Sequence, residues 1–245
     1  MTDDAGETGG QGGDWLLETE RAARRRRRGP LSRAEIVAAA LRIIDAEGLD
    51  ALSMRRLGVA LDVRAMAMYR HVRDKDQLLD LLIEGILREI EIPPLGGDWR
   101  DDTLAIARAT RRGFMRHRHA VTLLASRPWV GPSGLAGIDA VLGVFRRAGA
   151  SARTAVHAQF ALGNFVTGFC AWEAANLGAR SEDPAARAET LARYRVFVTG
   201  LPADRFPNLT ALAPQLIEGS LDERFEAGLG FLLDGLARVL GPAGG

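Results

Sequence analysis

Residues 52–82, LSMRRLGVALDVRAMAMYRHVRDKDQLLDLL, pack two short helices, a tight turn and the start of a third helix into one basic segment. That layout is the one a DNA-reading helix-turn-helix requires. Leu57, Val59, Leu61, Val63 and Met68 supply the apolar contacts, and Ser53 stands where a hydroxyl caps a helix that begins at Met54. The spacing predicts a scaffold helix over 53–60, a turn at Leu61, Asp62 and Val63, and a recognition helix of about two turns over 64–71, with Tyr69 and His71 away from its apolar side. From Ser53 to Lys75 there are six Arg or Lys against two Asp, a surplus suited to phosphate contacts, although the whole chain is only +1. A purely structural three-helix bundle with solvated charges is the competing reading.

Outward from this segment, residues 31–47 read as a helix with Ser32 as N-cap, Glu35 three residues on, and Ile36, Ala39, Ala40, Ile43 and Ile44 along one face. Gly48 stops it. Downstream, Asp74 caps a helix expected over 75–91, whose stripe of Leu78, Leu81, Leu82, Ile86 and Ile90 runs toward Pro93-Pro94. This helix links the basic segment to the rest of the chain.

The stretch from Leu31 to Ile90 resembles the DNA-binding domain of the tetracycline-repressor (TetR) family, with LSRAEIVAAALRIIDAEGLDALSMRRL as its first half and YRHVRDKDQLL as its close. Tyr69, His71 and Lys75 fall where that family places a tyrosine, a histidine and a lysine. The resemblance implies that these three meet backbone phosphates, and that Arg55, Ala65, Met66, Ala67 and Arg70 lie nearer the base edges. Ser53 and Arg64 complete the expected DNA-facing set. Arg70 is the preferred base reader, because a guanidinium can clamp a guanine through both of its major-groove acceptors. Ala65 and Ala67 offer only methyl groups.

The expected fold is all-α: residues 1–30 a disordered basic arm, 31–92 the helix-turn-helix domain, and 93–245 a ligand-binding and dimerisation domain. Beyond Asp98 the periodicity predicts helices near 101–116, 135–148, 152–177, 184–198 and 221–240, and nothing reads as a sheet. Thr154 to Trp172 runs 19 residues without Asp, Glu, Lys or Arg, the length of a membrane span. His157, Gln159, Asn164 and Thr167 recur along it at helical spacing, however, so a helix buried in a dimer is the better reading and no membrane partner is expected. The last helix carries Phe225, Leu229, Leu232, Leu233 and Leu236 beside Gly228, Gly230 and Gly235. With 152–177 it resembles the pair of helices that builds the family's two-fold, four-helix dimer interface. A homodimer of this kind reads a palindromic operator in double-stranded DNA.

Between Trp99 and Trp172, Phe114, His117, Leu123, Leu124, Trp129, Phe145, Phe160, Asn164, Phe165 and Trp172 mix large apolar groups with few polar ones. Aromatics at helical spacing are more often core than cofactor box, and it is the family resemblance that makes this set a candidate pocket for a small-molecule effector. Trp99-Arg100, His117-Arg118 and Arg127-Pro128 follow the order of similar pairs in the tetracycline repressor's ligand-binding domain. Counted from those pairs, that repressor's metal-chelating histidine falls at Leu123 and its drug-binding asparagine at Ile106. The implied effector is therefore more apolar and metal-free.

No cofactor or catalytic residue is expected. His117 and His119 lie two apart, about 200° around a helix, and no HExxH or paired CxxC is present. The single cysteine, Cys170, forms no internal disulfide, and no apolar run follows the N-terminal arginines as a secretory signal would require, so a cytoplasmic location is expected. Residues 1–30 balance six Arg, five of them in the run Arg24 to Arg28, against six acidic groups. They form either a minor-groove arm or a solvated tail. The sequence thus points to a ligand-responsive, sequence-specific transcriptional regulator, a repressor in its simplest form. An activator, a nonspecific DNA binder, and a small-molecule-binding protein with a vestigial head remain as alternatives.

Overall fold

Three side-chain caps set the ends of the first helices. Ser32 opens α1 (Arg33–Glu47): its Oγ accepts from the Glu35 amide at 3.2 Å, while the Glu35 carboxylate accepts from the Ser32 amide at 2.9 Å. Ser53 opens α2 (Met54–Leu61), and Asp74 opens α4 (Lys75–Arg88) by accepting from Gln77 at 2.7 Å. Between them, α3 spans Ala65–Tyr69. The computed structural model describes residues 31–175 and 184–240, and all regular structure among them is helical. The expected arm over 1–30, including Arg24 to Arg28, lies outside the described residues.

The head departs from the sequence expectation in three places. Helix α3 is shorter than 64–71, because Arg64 is extended (ψ 146°) with no side-chain cap bond and Arg70 already closes the C-terminus. Val59 is 78% exposed instead of packed, since Leu57, Gly58 and Leu61 occupy the inner face of the eight-residue α2. Helix α4 ends at Arg88 rather than at residue 91. Glu89 and Ile90 donate back only three residues, to Ile86 and Leu87, and Pro93 then favours an extended Ile92.

The second region comprises α5 (Trp99–Arg116), α6 (Val121–Ser126), α7 (Pro132–Arg147), α8 (Ala152–Glu173), α9 (Pro184–Thr199), α10 (Pro207–Ala211), α11 (Ala213–Glu218) and α12 (Leu221–Leu240). The long helices fall where the periodicity predicts, whereas α6, α10 and α11, each of five or six residues, are too short to show a period. Helix α8 is described to Glu173, and the rest of the expected 152–177 span falls partly outside the described residues. Among the described residues, no helix is long and apolar enough to cross a membrane. Instead α8 lies in the middle of the second region, against α5, α6, α7 and α12.

One hydrophobic core runs through both regions, from Ile36, Leu57 and Met68 through Leu82 and Ile86 to Phe114, Phe145, Leu162 and Leu229. Helix α4 lies along that seam, packed on α1 on one side and on α5, α6 and α7 on the other. Helices α9 to α11 gather around a smaller cluster of Val198, Ala213 and Ile217.

Arg111 joins three helices. It is bidentate to Glu173 of α8 at 2.8 and 2.9 Å, it reaches Asp222 of α12 at 2.7 Å, and its guanidinium lies 4.9 Å from the centre of the Phe225 ring. The Glu173 hydrogen bonds hold its pKa above the ordinary arginine value despite the cost of burial. Removing Arg111 leaves the 14%-exposed Glu173 unpaired, so Arg111→Ala should cost about 3 kcal/mol in urea unfolding. Cys170 is fully buried beneath this cluster, and burial pushes its thiol up to about 12. At pH 8 only about one molecule in 10⁴ carries the thiolate. The native protein should therefore resist Ellman's reagent and react fully once unfolded.

Candidate nucleic-acid interface and ligand cavity

The turn between α2 and α3 depends on two residues. Asp62 takes the left-handed conformation (φ 53°, ψ 44°), which lets its amide and that of Val63 bond back to Val59 at 3.1 Å and Gly58 at 3.0 Å. A Cβ on Gly58 would lie 3.1 Å from the Val63 carbonyl and 3.3 Å from Met68 Cε, so a glycine here permits the two helices to close. Met68 and Val72, both fully buried, then pin α3 to the core from its inner side.

That anchoring fixes the outer face. Met66 (76% exposed), Tyr69 and Arg70 point to solvent, with Ala67 half-buried between them, and Arg64 is exposed at the N-terminal end of α3. Ala65 begins the helix. Ser53 and Arg55 are exposed at the start of α2, Lys75 is exposed in the first turn of α4, and His71 is half-buried. The His71 carbonyl accepts from Arg33 Nε at 3.1 Å, tying the end of α3 to the start of α1. Arg56 is engaged by Glu47, which removes one cation from the basic surplus of the segment. Arg33 and Arg73 are further exposed residues of the head that the sequence reading did not single out, and Val59, expected to pack, is exposed with them. Arg33 lies 38 residues from His71 in the chain, a separation that helical periodicity does not reach.

The second site is a cavity of about 410 Å³ between α4, α5, α7 and α8. Its walls are Leu87, Arg88, Ile90 and Ile92 from α4 and the chain after it, Ile106, Ala107 and Thr110 from α5, Trp129, Ser133, Gly134, Ala136, Gly137, Ile138 and Val141 from α7, and Gln159, Leu162, Gly163, Val166 and Thr167 from α8. Of the ten candidate pocket residues only Trp129 lies on this wall. Its ring is fixed by an Nε1 donation to the Leu124 carbonyl at 2.9 Å and an edge-on contact with Phe114 at 5.7 Å.

The other nine candidates lie elsewhere. Phe114, Leu123 and Phe145 are core residues, exposed by 3% or less, and Leu124 is buried with them. His117 stands at the seam between the regions, with Nδ1 3.1 Å from Asp45 of α1 and Nε2 3.0 Å from Glu89. Phe165 packs on Phe225 at 5.6 Å. Phe160 and Trp172 are 62% and 48% exposed, and Asn164 is exposed with them on the outer face of α8. Of the two positions reached by counting within the resemblance, Ile106 is on the cavity wall and Leu123 is packed in the core. Small side chains line the cavity on both helices, Ala136 and Gly137 on α7 and Gly163 on α8, while Gly134 lets Trp129 pack closely against α7. Clustered glycines on two long helices were the signal in the sequence that would have found it.

Two polar clamps tie α4 to the cavity wall. Glu84 accepts from the Ser133 amide at 3.0 Å and from its hydroxyl at 2.6 Å, which places a carboxylate at the N-terminus of α7. Arg127 donates to Asp80 at 3.1 Å and to Asp76 at 3.2 Å, and these hydrogen bonds, that to Asp76 foremost, raise its pKa above the usual value.

Family models match both regions: residues 36–82 fit the description "Bacterial regulatory proteins, tetR family", and residues 92–240 fit "Tetracyclin repressor-like, C-terminal domain". The transcriptional repressor DrrR1 of Streptomyces coeruleorubidus is 34% identical over 219 residues, spanning 87% of this chain and 81% of its own. The class A tetracycline repressor of transposon 1721 from Escherichia coli is 31% identical over 207 residues, 83% of this chain and 89% of that protein. Among solved structures, Streptomyces coelicolor ActR in complex with actinorhodin superposes with a TM-score of 0.78 at 34% identity, covering 89% of this chain and 100% of ActR.

Because Glu84 is the side chain that caps α7, Glu84→Ala should lower stability by about 1 kcal/mol, the usual worth of a lost helix cap. Urea unfolding measures it, with Glu84→Gln expected to recover part of the loss through its remaining acceptor.

Proposed function

Because the chain belongs to the tetracycline-repressor family of bacterial transcriptional regulators, we infer that it is a homodimeric repressor, held on a palindromic operator until a largely apolar, metal-free effector fills the cavity. One observation supports this reading above others: a single helix, α4, carries Lys75 at the DNA-facing end and contributes Leu87 and Arg88 to the cavity wall at the other. Anything that repositions the wall also moves the support under α3.

The chemistry of each end fits its role. On the head, Met66, Tyr69 and Arg70 form an exposed face held by buried Met68, so Arg70 meets base edges while Tyr69, His71 and Lys75 meet phosphates. Arg55 and Arg64 flank them, Ser53 stands near the backbone, and Ala65 and Ala67 allow the helix to approach the groove closely. In the second region, the described cavity wall includes no His, Cys, Asp or Glu, the side chains a metal complex would need.

Dimerisation uses the outward faces of α8 and α12. Val156, Phe160, Phe231 (77% exposed) and Val239 (67% exposed) present large apolar groups to solvent, while Gly168 and Gly235 have open space where a side chain would stand. Two such pairs of helices make a four-helix bundle across a two-fold axis. The paired α3 helices then read half-sites whose centres lie roughly 34 to 36 Å apart.

Effector binding acts as a population shift, favouring the arrangement in which the α3 helices no longer fit successive major grooves. The Glu84 clamp supplies the path, since Ser133 of α7 both lines the cavity and bonds to Glu84 of α4.

Footprinting on DNA upstream of its own gene, against random competitor, tests the reading. One protected palindrome is expected, bound at least about 10³-fold more tightly than random DNA. Arg70→Ala should relax the preference at a single base position by roughly 1 to 3 kcal/mol, and Tyr69→Ala should weaken all sequences alike. Equal binding to random DNA would make it a nonspecific binder, and none at all would leave the head vestigial. Phe231→Glu should yield monomers by light scattering; an unchanged dimer would place the interface elsewhere.

A further inference from the structure

Arg88 is the one charged residue on the described cavity wall, and its surroundings leave it without a counter-charge. Lysine and arginine near the C-terminus of a helix normally serve the exposed carbonyls there, and Arg88 occupies the last turn of α4. That service does not account for its place on an otherwise uncharged wall. Its natural partner on the same helix is Glu84, one turn earlier on the same face. Glu84 is committed elsewhere, with both carboxylate oxygens on Ser133 at 2.6 to 3.1 Å. Glu89, the next residue along, is taken by His117 at 3.0 Å. Among the described residues no carboxylate lies within ion-pair distance of Arg88.

The rest of the wall sorts into two kinds of surface. Leu87, Ile106, Val141, Leu162 and Val166 offer an apolar bed, while Gln159 and Thr167 place an amide and a hydroxyl on the α8 side. Arg88 is exposed to solvent, so a wholly apolar ligand that covered it would strip water from an unpaired cation, which costs affinity. A ligand with an apolar body and one carboxylate satisfies both surfaces, and a charge-assisted bond to a guanidinium is among the stronger polar contacts available.

We propose that the effector is an apolar carboxylic acid whose anion is selected by Arg88. This rests on the reading of the cavity as the effector site and narrows its chemistry. It also ties recognition to response: the charge lands on the last turn of α4, four residues from the Glu84 clamp.

Isothermal titration of the full-length protein with anthraquinone-2-carboxylate and with its neutral counterpart, anthraquinone-2-carboxamide, tests it. The wild type should bind the carboxylate at least about tenfold more tightly than the amide. Arg88→Gln should bring the two together, and Arg88→Lys should keep part of the preference. Equal affinities in the wild type, or a preference that survives in Arg88→Gln, overturn the proposal while leaving the cavity as a ligand site. No heat from either compound up to about 1 mM overturns the effector-site reading itself, and this inference with it. The wild-type comparison needs no variant, so it stands even if a substitution impairs folding.

Discussion

The carboxylate of Glu84 on the first turn of α7 is the contact on which the rest of the arrangement depends. Helix N-termini leave amides without partners, and here Ser133 obtains one from a different helix, 49 residues earlier in the chain. That long-range cap fixes the height of α4 against α7, and with it the distance between the head and the cavity. Space is tight enough to make the setting unique: a Cβ on Gly131 would lie 2.3 Å from Glu84 Oε2, and one on Gly85 would lie 2.7 Å from Val37 of α1. On one side α4 is pressed against α1, and on the other it is held by charge. A helix constrained from both sides moves as a body, not by bending.

Helix α8 meets a different demand. It has an inner face of Ala155, Ala158, Leu162, Val166 and Cys170, a cavity face with Gln159, Gly163 and Thr167, and an outer face with Val156, Phe160 and Asn164. A core face, a cavity face and an outward face with Val156, Phe160 and Asn164 all lack charge, which accounts for the 19-residue run without Asp, Glu, Lys or Arg. The same property that resembles a membrane span in the sequence belongs to a helix with two faces turned inward and one uncharged face exposed. Charge returns at the C-terminal end of α8, where Glu173 meets Arg111.

Local chemistry was legible in the sequence, and relative helix placement was not. Ser32 with Glu35, Ser53 and Asp74 could be read as caps because each acts within three residues of itself. The turn at Asp62 and the buried Met68 followed from the same short-range rules. The cavity did not. Phe114 and Phe145 have the size of pocket walls but rotate into the core, whereas Gly137 and Gly163 have no side chain to attract notice and yet line the space. Similarly His117, expected in a pocket, bridges Asp45 and Glu89 across 72 and 28 residues, and nothing local encodes that meeting. Val59 failed for a simpler reason: an eight-residue helix has one inner face, and Leu57, Gly58 and Leu61 had already filled it.

The brevity of α3 has an evolutionary consequence. Five residues are far too few to hold a helix unaided, so its shape is supplied wholly by buried Met68, by Val72 and by the turn at Gly58. Met66 and Arg70 contribute almost nothing to that support. On the proposed reading of this face, stability and target preference are written in separate residues, and a lineage can exchange the outward letters of this helix, acquiring a new binding sequence through single substitutions, without passing through an unfolded ancestor.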